Sequence, residues 1–193
     1  MTCSAAAAPG ERTLLVFGDS LSAAYGLRAE QGWVTQLQQR LASEGYGYHV
    51  VNASVSGETT SGGRNRLERA LAQHRPVVVL LELGANDGLR GLPVKDSQAN
   101  LRAMLEMSQA AGAKVLLLGI RIPPNYGPQY TRAFEAMYTS LAAERKVPLL
   151  PFLLEGIALD SRYMQADGLH PNAAGQPRVL ANVWPQLKPL LER

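Results

Sequence analysis

Cysteine is nearly absent. The 193 residues hold one, Cys3, which excludes an internal disulfide and a cysteine-built metal site. Its place in an alanine-rich N-terminus gives it no structural role. Histidine is almost as scarce, with His49, His74 and His170 alone, and no metal spacing such as H-E-x-x-H occurs. Neither a metal nor another cofactor is expected. No apolar run comes near the roughly 20 residues that cross a bilayer, so stable membrane insertion is not expected. The charge balance leans basic, with 19 Lys and Arg against 16 Asp and Glu. The basic residues are scattered and form no block, which argues against a nucleic-acid partner.

Residues 1–10 carry no apolar stretch of a secretory signal. A cloning scar and the tail of a trimmed export signal remain open alternatives. Residues 1–11 are expected to form a disordered tail ahead of one domain, 12–193, because no repeat, linker or composition break follows. The hydrophobic fraction of 46% suits a globule with a substantial core.

Apolar runs alternate with helical periodicity. Strands are expected at 12–18, 48–53, 77–83, 114–120 and 147–152, the last at a sheet edge because Pro148 and Pro151 withhold N–H groups. Helices are expected at 31–44, 59–74, 94–111, 129–145 and 171–191. Pro177 and Pro185 should kink or split the last of these. Near-continuous apolar strands mean burial on both faces, hence a parallel sheet between helix layers. The fold class expected is a three-layer α/β/α sandwich with five parallel strands in the flavodoxin-like order 2-1-3-4-5.

In that order the loops after strands 1, 2 and 3 meet at one crevice. The first carries Gly18-Asp19-Ser20-Leu21-Ser22, the second ends in Ser56-Gly57-Glu58, and the third is Gly84-Ala85-Asn86-Asp87-Gly88. Ser20 can attack a carbonyl. Gly57, lacking a Cβ, can bring a bare N–H to a ligand. Asn86 offers a neutral amide donor to a developing oxyanion. Each of these also serves as an ordinary turn residue, and their common position is what raises the chemical reading. A nucleophilic serine needs a base. His49 falls in a strand and His74 closes a helix. His170 lies in Asp167-Gly168-Leu169-His170-Pro171, where Pro171 keeps it out of the helix. A bend at Gly168 would let Asp167 orient the imidazole. Asp19 and Asp87 read as supports that bond loop N–H groups. The loop 84–93, with three glycines, reads as able to move over a substrate. Residues 121–128 and 153–166 are expected to form the far wall, and Leu89, Tyr126, Phe152, Leu153, Leu154 and Met164 are offered as acyl-groove lining, with ordinary core as the other reading.

Four motifs now stand in order: Gly18-Asp19-Ser20-Leu21-Ser22, Gly57, Gly84-x-Asn86-Asp87 and Asp167-x-x-His170. In this the chain resembles the SGNH, or GDSL, hydrolase family over nearly its whole length. Residues 51–59, 82–91 and 124–127 are similar to the bacterial thioesterase I/protease I/lysophospholipase subgroup, which includes arylesterases. Ala85 and Glu58 depart from its commonest pattern without touching a reacting atom. The resemblance implies a serine hydrolase of aryl and alkyl esters, acyl-CoA thioesters and lysophospholipids, acting as a monomer in the periplasm or outside the cell. Ser20, Asp167 and His170 would form a triad, and Ser20, Gly57 and Asn86 the oxyanion hole. The Gly-x-Ser-x-Gly elbow of α/β hydrolases is missing. A carbohydrate acetylesterase of the same family is the alternative. A non-catalytic flavodoxin-like domain fits poorly, since Ser20-Leu21-Ser22-Ala23-Ala24-Tyr25 is too apolar to cradle a flavin phosphate.

Overall fold

Residues 14–17 and 78–82 are buried on both faces, and around these two strands the chain is wound. The computed structural model describes residues 12–193; the expected tail 1–11, with Cys3, lies outside them. Five parallel strands form one sheet in the order β2-β1-β3-β4-β5. They are β1 (Arg12–Gly18), β2 (Tyr48–Asn52), β3 (Val78–Glu82), β4 (Lys114–Leu118) and β5 (Leu149–Leu150). β1 lies between β2 and β3, pairing Val16 with Asn52 on one side and Gly18 with Glu82 on the other. The expected order is therefore observed, with the crevice at the carboxyl ends of β1 and β3.

The helices are α1 (Trp33–Ser43), α2 (Thr60–His74), α3 (Ala85–Leu89), α4 (Val94–Ala110), α5 (Pro128–Arg145) and α6 (Gln176–Leu187). α1 packs with α6, and α2, α4 and α5 pack in sequence, giving the two outer layers. Each buries the stripe its periodicity announces. In α1 that stripe is Trp33, Val34, Leu37 and Leu41. In α4 it includes Leu101, Met104, Leu105 and Ser108. Thr59 caps α2, its hydroxyl accepting from Gly62 N–H at 3.2 Å.

Three expectations need correction. β5 has two residues rather than six, because Pro148 and Pro151 bracket it and cannot donate to the ladder. The last helix starts at Gln176, not Pro171. Pro171 instead forms an isolated antiparallel bridge with Met164. Neither proline splits α6: Pro177 sits in its first turn, where N–H groups lack partners anyway, and Pro185 sits in its last. The loop 84–93 also holds an unforeseen short helix, α3.

Trp33 links the fold to the crevice. It is fully buried, its indole N–H donates to Leu21 O at 3.2 Å, and its backbone N–H donates to Gln176 Oε1 at 2.9 Å. One residue thus ties α1 to the turn after β1 and to α6. Trp33→Ala is expected to lower unfolding free energy by about 3–5 kcal/mol, the usual cost of emptying a large aromatic site. Urea unfolding at unchanged slope checks this.

Candidate active site

Ser20 opens the turn that ends β1. Ala23 N–H donates to Asp19 O at 3.0 Å, and Tyr25 N–H reaches Ser20 O at 3.4 Å, so the chain coils back at once. The half-buried Ser20 side chain stands at the mouth of the crevice.

Its partner arrives from the far end of the chain. Residues 163–172 fold into a tight hairpin. Asn172 N–H donates to Tyr163 O and Gln165 N–H to His170 O, both at 2.8 Å. Gly168, at φ +67°, makes the bend. Inside it, Asp167 Oδ1 accepts from Leu169 N–H at 2.9 Å and His170 N–H at 3.1 Å. Asp167 Oδ2 lies 2.6 Å from His170 Nδ1, and His170 Nε2 lies 2.8 Å from Ser20 Oγ. A carboxylate only accepts, so Nδ1 carries the imidazole proton and Nε2 is left to accept from the Ser20 hydroxyl. Partial burial works to raise the Asp167 carboxyl. The bonds from the His170 ring and from the two N–H groups outweigh it and hold the carboxyl below its ordinary range, hence ionised. The Tyr25 ring packs against the imidazole, centroids 4.5 Å apart. Gln165 Nε2 fastens this arrangement by donating to Tyr25 O and Pro171 O. His49, exposed on β2, and His74, at the end of α2, have no part in it.

On the other side of Ser20 the donors gather. Gly57 has φ +80°, and an added Cβ would meet nothing within 4 Å, so its backbone faces open space. Among the described residues, neither Ser20 N–H nor Gly57 N–H donates a hydrogen bond. Asn86, in the first turn of α3, donates through Nδ2 to Glu58 O at 2.9 Å and to Asp19 Oδ2 at 3.3 Å. The short bond fixes the amide. The long one is weak enough to be exchanged for a nearby anion.

The supports are polar and buried. Asp87 accepts from Thr60 N–H at 2.8 Å, from the Thr60 hydroxyl at 2.6 Å and from Ser97 Oγ at 3.2 Å, tying α2 and α4 to the turn bearing Asn86. Asp19 accepts from Leu21 N–H at 3.0 Å. Arg66, which the sequence did not single out, reaches over from α2. It donates to Glu58 Oε2 and Ala53 O, each at 2.6 Å, and stacks its guanidinium over Phe17.

A cavity of about 210 Å³ opens beside Ser20, Asn86 and His170. Leu89 and Leu154 line it, together with Ile120, Ile122 and Pro123 from the loop after β4. Four residues offered as lining lie elsewhere. Tyr126 turns its hydroxyl to Leu89 O at 2.7 Å and so braces α3 from behind. Phe152 lies under the Arg121 guanidinium. Met164 is buried at its bridge with Pro171 and borders a separate surface hollow. Leu153 is fully buried. Ile122 and Pro123 fall within the expected wall 121–128, whereas Ile120 reads as the end of the strand 114–120, and the crevice position of that strand end is the signal that points to it.

Geometry of this kind can be set beside known proteins. The chain is 58% identical to esterase TesA of Pseudomonas aeruginosa over 93% of its own length and 90% of that protein's. It is 46% identical to the thioesterase 1/protease 1/lysophospholipase of Escherichia coli, over 93% of this chain and 85% of the other. The crystal structure of the psychrotrophic esterase EstA from Pseudoalteromonas, inhibited by monoethylphosphonate, superposes with a TM-score of 0.89 at 46% identity, covering 93% of this chain and 98% of that one. Residues 16–178 match the GDSL-like lipase/acylhydrolase family. That span runs from within β1 into α6 and takes in every loop of the crevice, and the chain belongs to this family.

Proposed function

We propose that this chain is a serine esterase and thioesterase that works through an acyl-enzyme on Ser20. The carrying observation is the unbroken hydrogen-bond chain from Asp167 through His170 to Ser20 beside an apolar cavity. His170 takes the Ser20 proton as Oγ attacks the acyl carbon, and Asp167 stabilises the imidazolium that results. The tetrahedral oxyanion takes up the Ser20 and Gly57 N–H groups, and the Asn86 amide turns from Asp19 to meet it. His170 then protonates the leaving alcohol or thiol, and water repeats the sequence on the acyl-enzyme. Every step uses groups of this chain. The acyl group lies in the cavity bounded by Leu89, Ile122 and Leu154. Aryl and alkyl esters, acyl-CoA thioesters and lysophospholipids are the substrate class, in keeping with the names of the relatives. A single domain, a monomer, and an address in the periplasm or outside the cell complete the reading. No described helix is long and apolar enough to cross a membrane.

The test is an acyl-chain series of p-nitrophenyl esters and acyl-CoAs beside a fluorophosphonate label. A cavity of about 210 Å³ is smaller than pockets that enclose drug-sized ligands. Turnover is therefore expected to be best with short and medium acyl chains and to fall as the chain outgrows the cavity. The label should attach to the wild type and not to Ser20→Ala. Turnover that is flat across chain lengths counts against the cavity as the acyl site, and labelling of Ser20→Ala against the nucleophile.

A further inference from the structure

Glu82 is a buried ionisable group that this reaction does not use. It closes β3 in a run that is otherwise apolar, and its side chain is wholly inaccessible. It pairs with Gly18 across the sheet, and Oε2 lies 2.5 Å from where a Cβ on residue 18 would stand. The glycine before Asp19 is thus what admits this carboxyl. Oε2 accepts from Asp19 N–H at 3.2 Å and from the Ser22 hydroxyl at 2.7 Å. Those donors stand one residue before Ser20 and two after it, so one oxygen grips both limbs of the turn. Oε1 is equally buried and receives no donor. An ionised carboxylate with a bare buried oxygen is costly, whereas a carboxylic acid carries its own proton there. The neighbouring acid is Asp19, whose carboxyl is also inaccessible and takes the weak bond from Asn86.

We propose that Glu82 is a positioning residue for Ser20, a neutral carboxylic acid that clamps the turn through one oxygen and offers its proton toward the Asp19 carboxylate through the other. The inference rests on Ser20 being the nucleophile. Two adjacent buried carboxyls cannot readily both ionise. Burial first, then the Asp19 charge, pushes Glu82 well above the ordinary carboxylate range. Burial also lifts Asp19, to about 6, against the bond from Leu21 and the influence of His170. Tyr138 from α5 lies within the influence of both carboxyls and of Asp87 from α3, and Arg66 from α2 reaches Gly18 O beside the pair at 3.4 Å. Tyr138 is itself pushed well up by burial, so it brings no charge near neutrality.

The test compares E82Q and E82L by steady-state kinetics and by the rate of fluorophosphonate labelling between pH 5 and 8. Glutamine is neutral and keeps an acceptor and a donor in place. Its kcat is expected within about threefold of wild type because both polar contacts survive, with an unchanged pH profile. Leucine keeps neither contact. Its kcat is expected to fall about 10²-fold from misplacement of the nucleophile, with KM little altered. A displaced pH profile or a leucine-sized loss in E82Q would show that Glu82 works as an anion and overturn the proposal, as would undiminished kcat in E82L. If E82L does not fold, Ser22→Ala replaces it, since it removes only one of the two gripping donors. A several-fold drop in kcat with KM steady is expected there, and unchanged kcat overturns the clamp. Ser20→Ala in the same labelling assay separates failure of this inference from failure of the nucleophile itself.

Discussion

Ser20→Ala is expected to lose ester hydrolysis by about 10⁵–10⁶-fold in kcat, His170→Ala nearly as much, with the double variant no worse than either. The reason lies in the 2.8 Å contact between His170 Nε2 and Ser20 Oγ. A serine hydroxyl is a poor nucleophile until a base takes its proton, and the base has nothing to do once the hydroxyl is gone. On the proposed mechanism the two side chains act as one device, and their losses are expected not to multiply. Activity that survives comes from substrate binding and the oxyanion donors, which both substitutions leave standing. Initial rates on p-nitrophenyl butyrate, with the melting temperature recorded for each variant, check this. Ser20 is small and half-buried, so its alanine variant melts with the wild type. Losses that multiplied in the double variant would mean that serine and histidine serve separate steps.

Asn86→Ala is expected to lower kcat by about 10²–10³-fold with KM little changed, the cost of one oxyanion donor. The amide already stands in the crevice, anchored by its 2.9 Å bond to Glu58 O, while its 3.3 Å contact with Asp19 is the one given up. Stabilisation of this kind grows as charge moves onto the carbonyl oxygen, so it appears in kcat rather than in ground-state binding. Alanine also leaves Glu58 O without that partner, which lowers stability by about 1–3 kcal/mol. Urea unfolding separates that loss from the catalytic one. The fluorophosphonate label reads the same donor independently, because its phosphoryl oxygen seeks the same N–H groups. Labelling that slows in step with kcat places Asn86 at the oxyanion, and labelling at the wild-type rate removes it from that role.

Much of this architecture could be read from the residues, for identifiable reasons. Strands buried on both faces must be apolar throughout, so 12–18 and 77–83 announce themselves, and a parallel sheet sends its loops to a common edge. That edge is why Ser20, Gly57 and Asn86, scattered through the chain, could be considered together. What stayed hidden was hidden by the same logic. Glu82 reads as part of an apolar strand, because one acid among branched residues does not alter the pattern. Ile120 ends an apolar run and looks like core, and nothing local says that it faces a cavity, whereas Ile122 and Pro123 fall within the expected wall 121–128. Tyr126 reads as groove lining, whereas its hydroxyl decides its place by seeking Leu89 O. Pro171 looked like the first residue of a helix. A hairpin held by main-chain bonds between 163–165 and 170–172 has no side-chain signature to contradict that.

That hairpin has a consequence for how the protein comes into being. Ser20 and His170 are 150 residues apart in the chain. A polypeptide made from its N-terminus presents the turn after β1 long before the imidazole exists. The sheet can be complete through β5 while the hydroxyl still has no base. With Ser20 as the proposed nucleophile, it gains its base only when the segment 163–172 closes. On that proposal the growing chain cannot yet attack an ester through Ser20, and reactivity is the last property that it acquires.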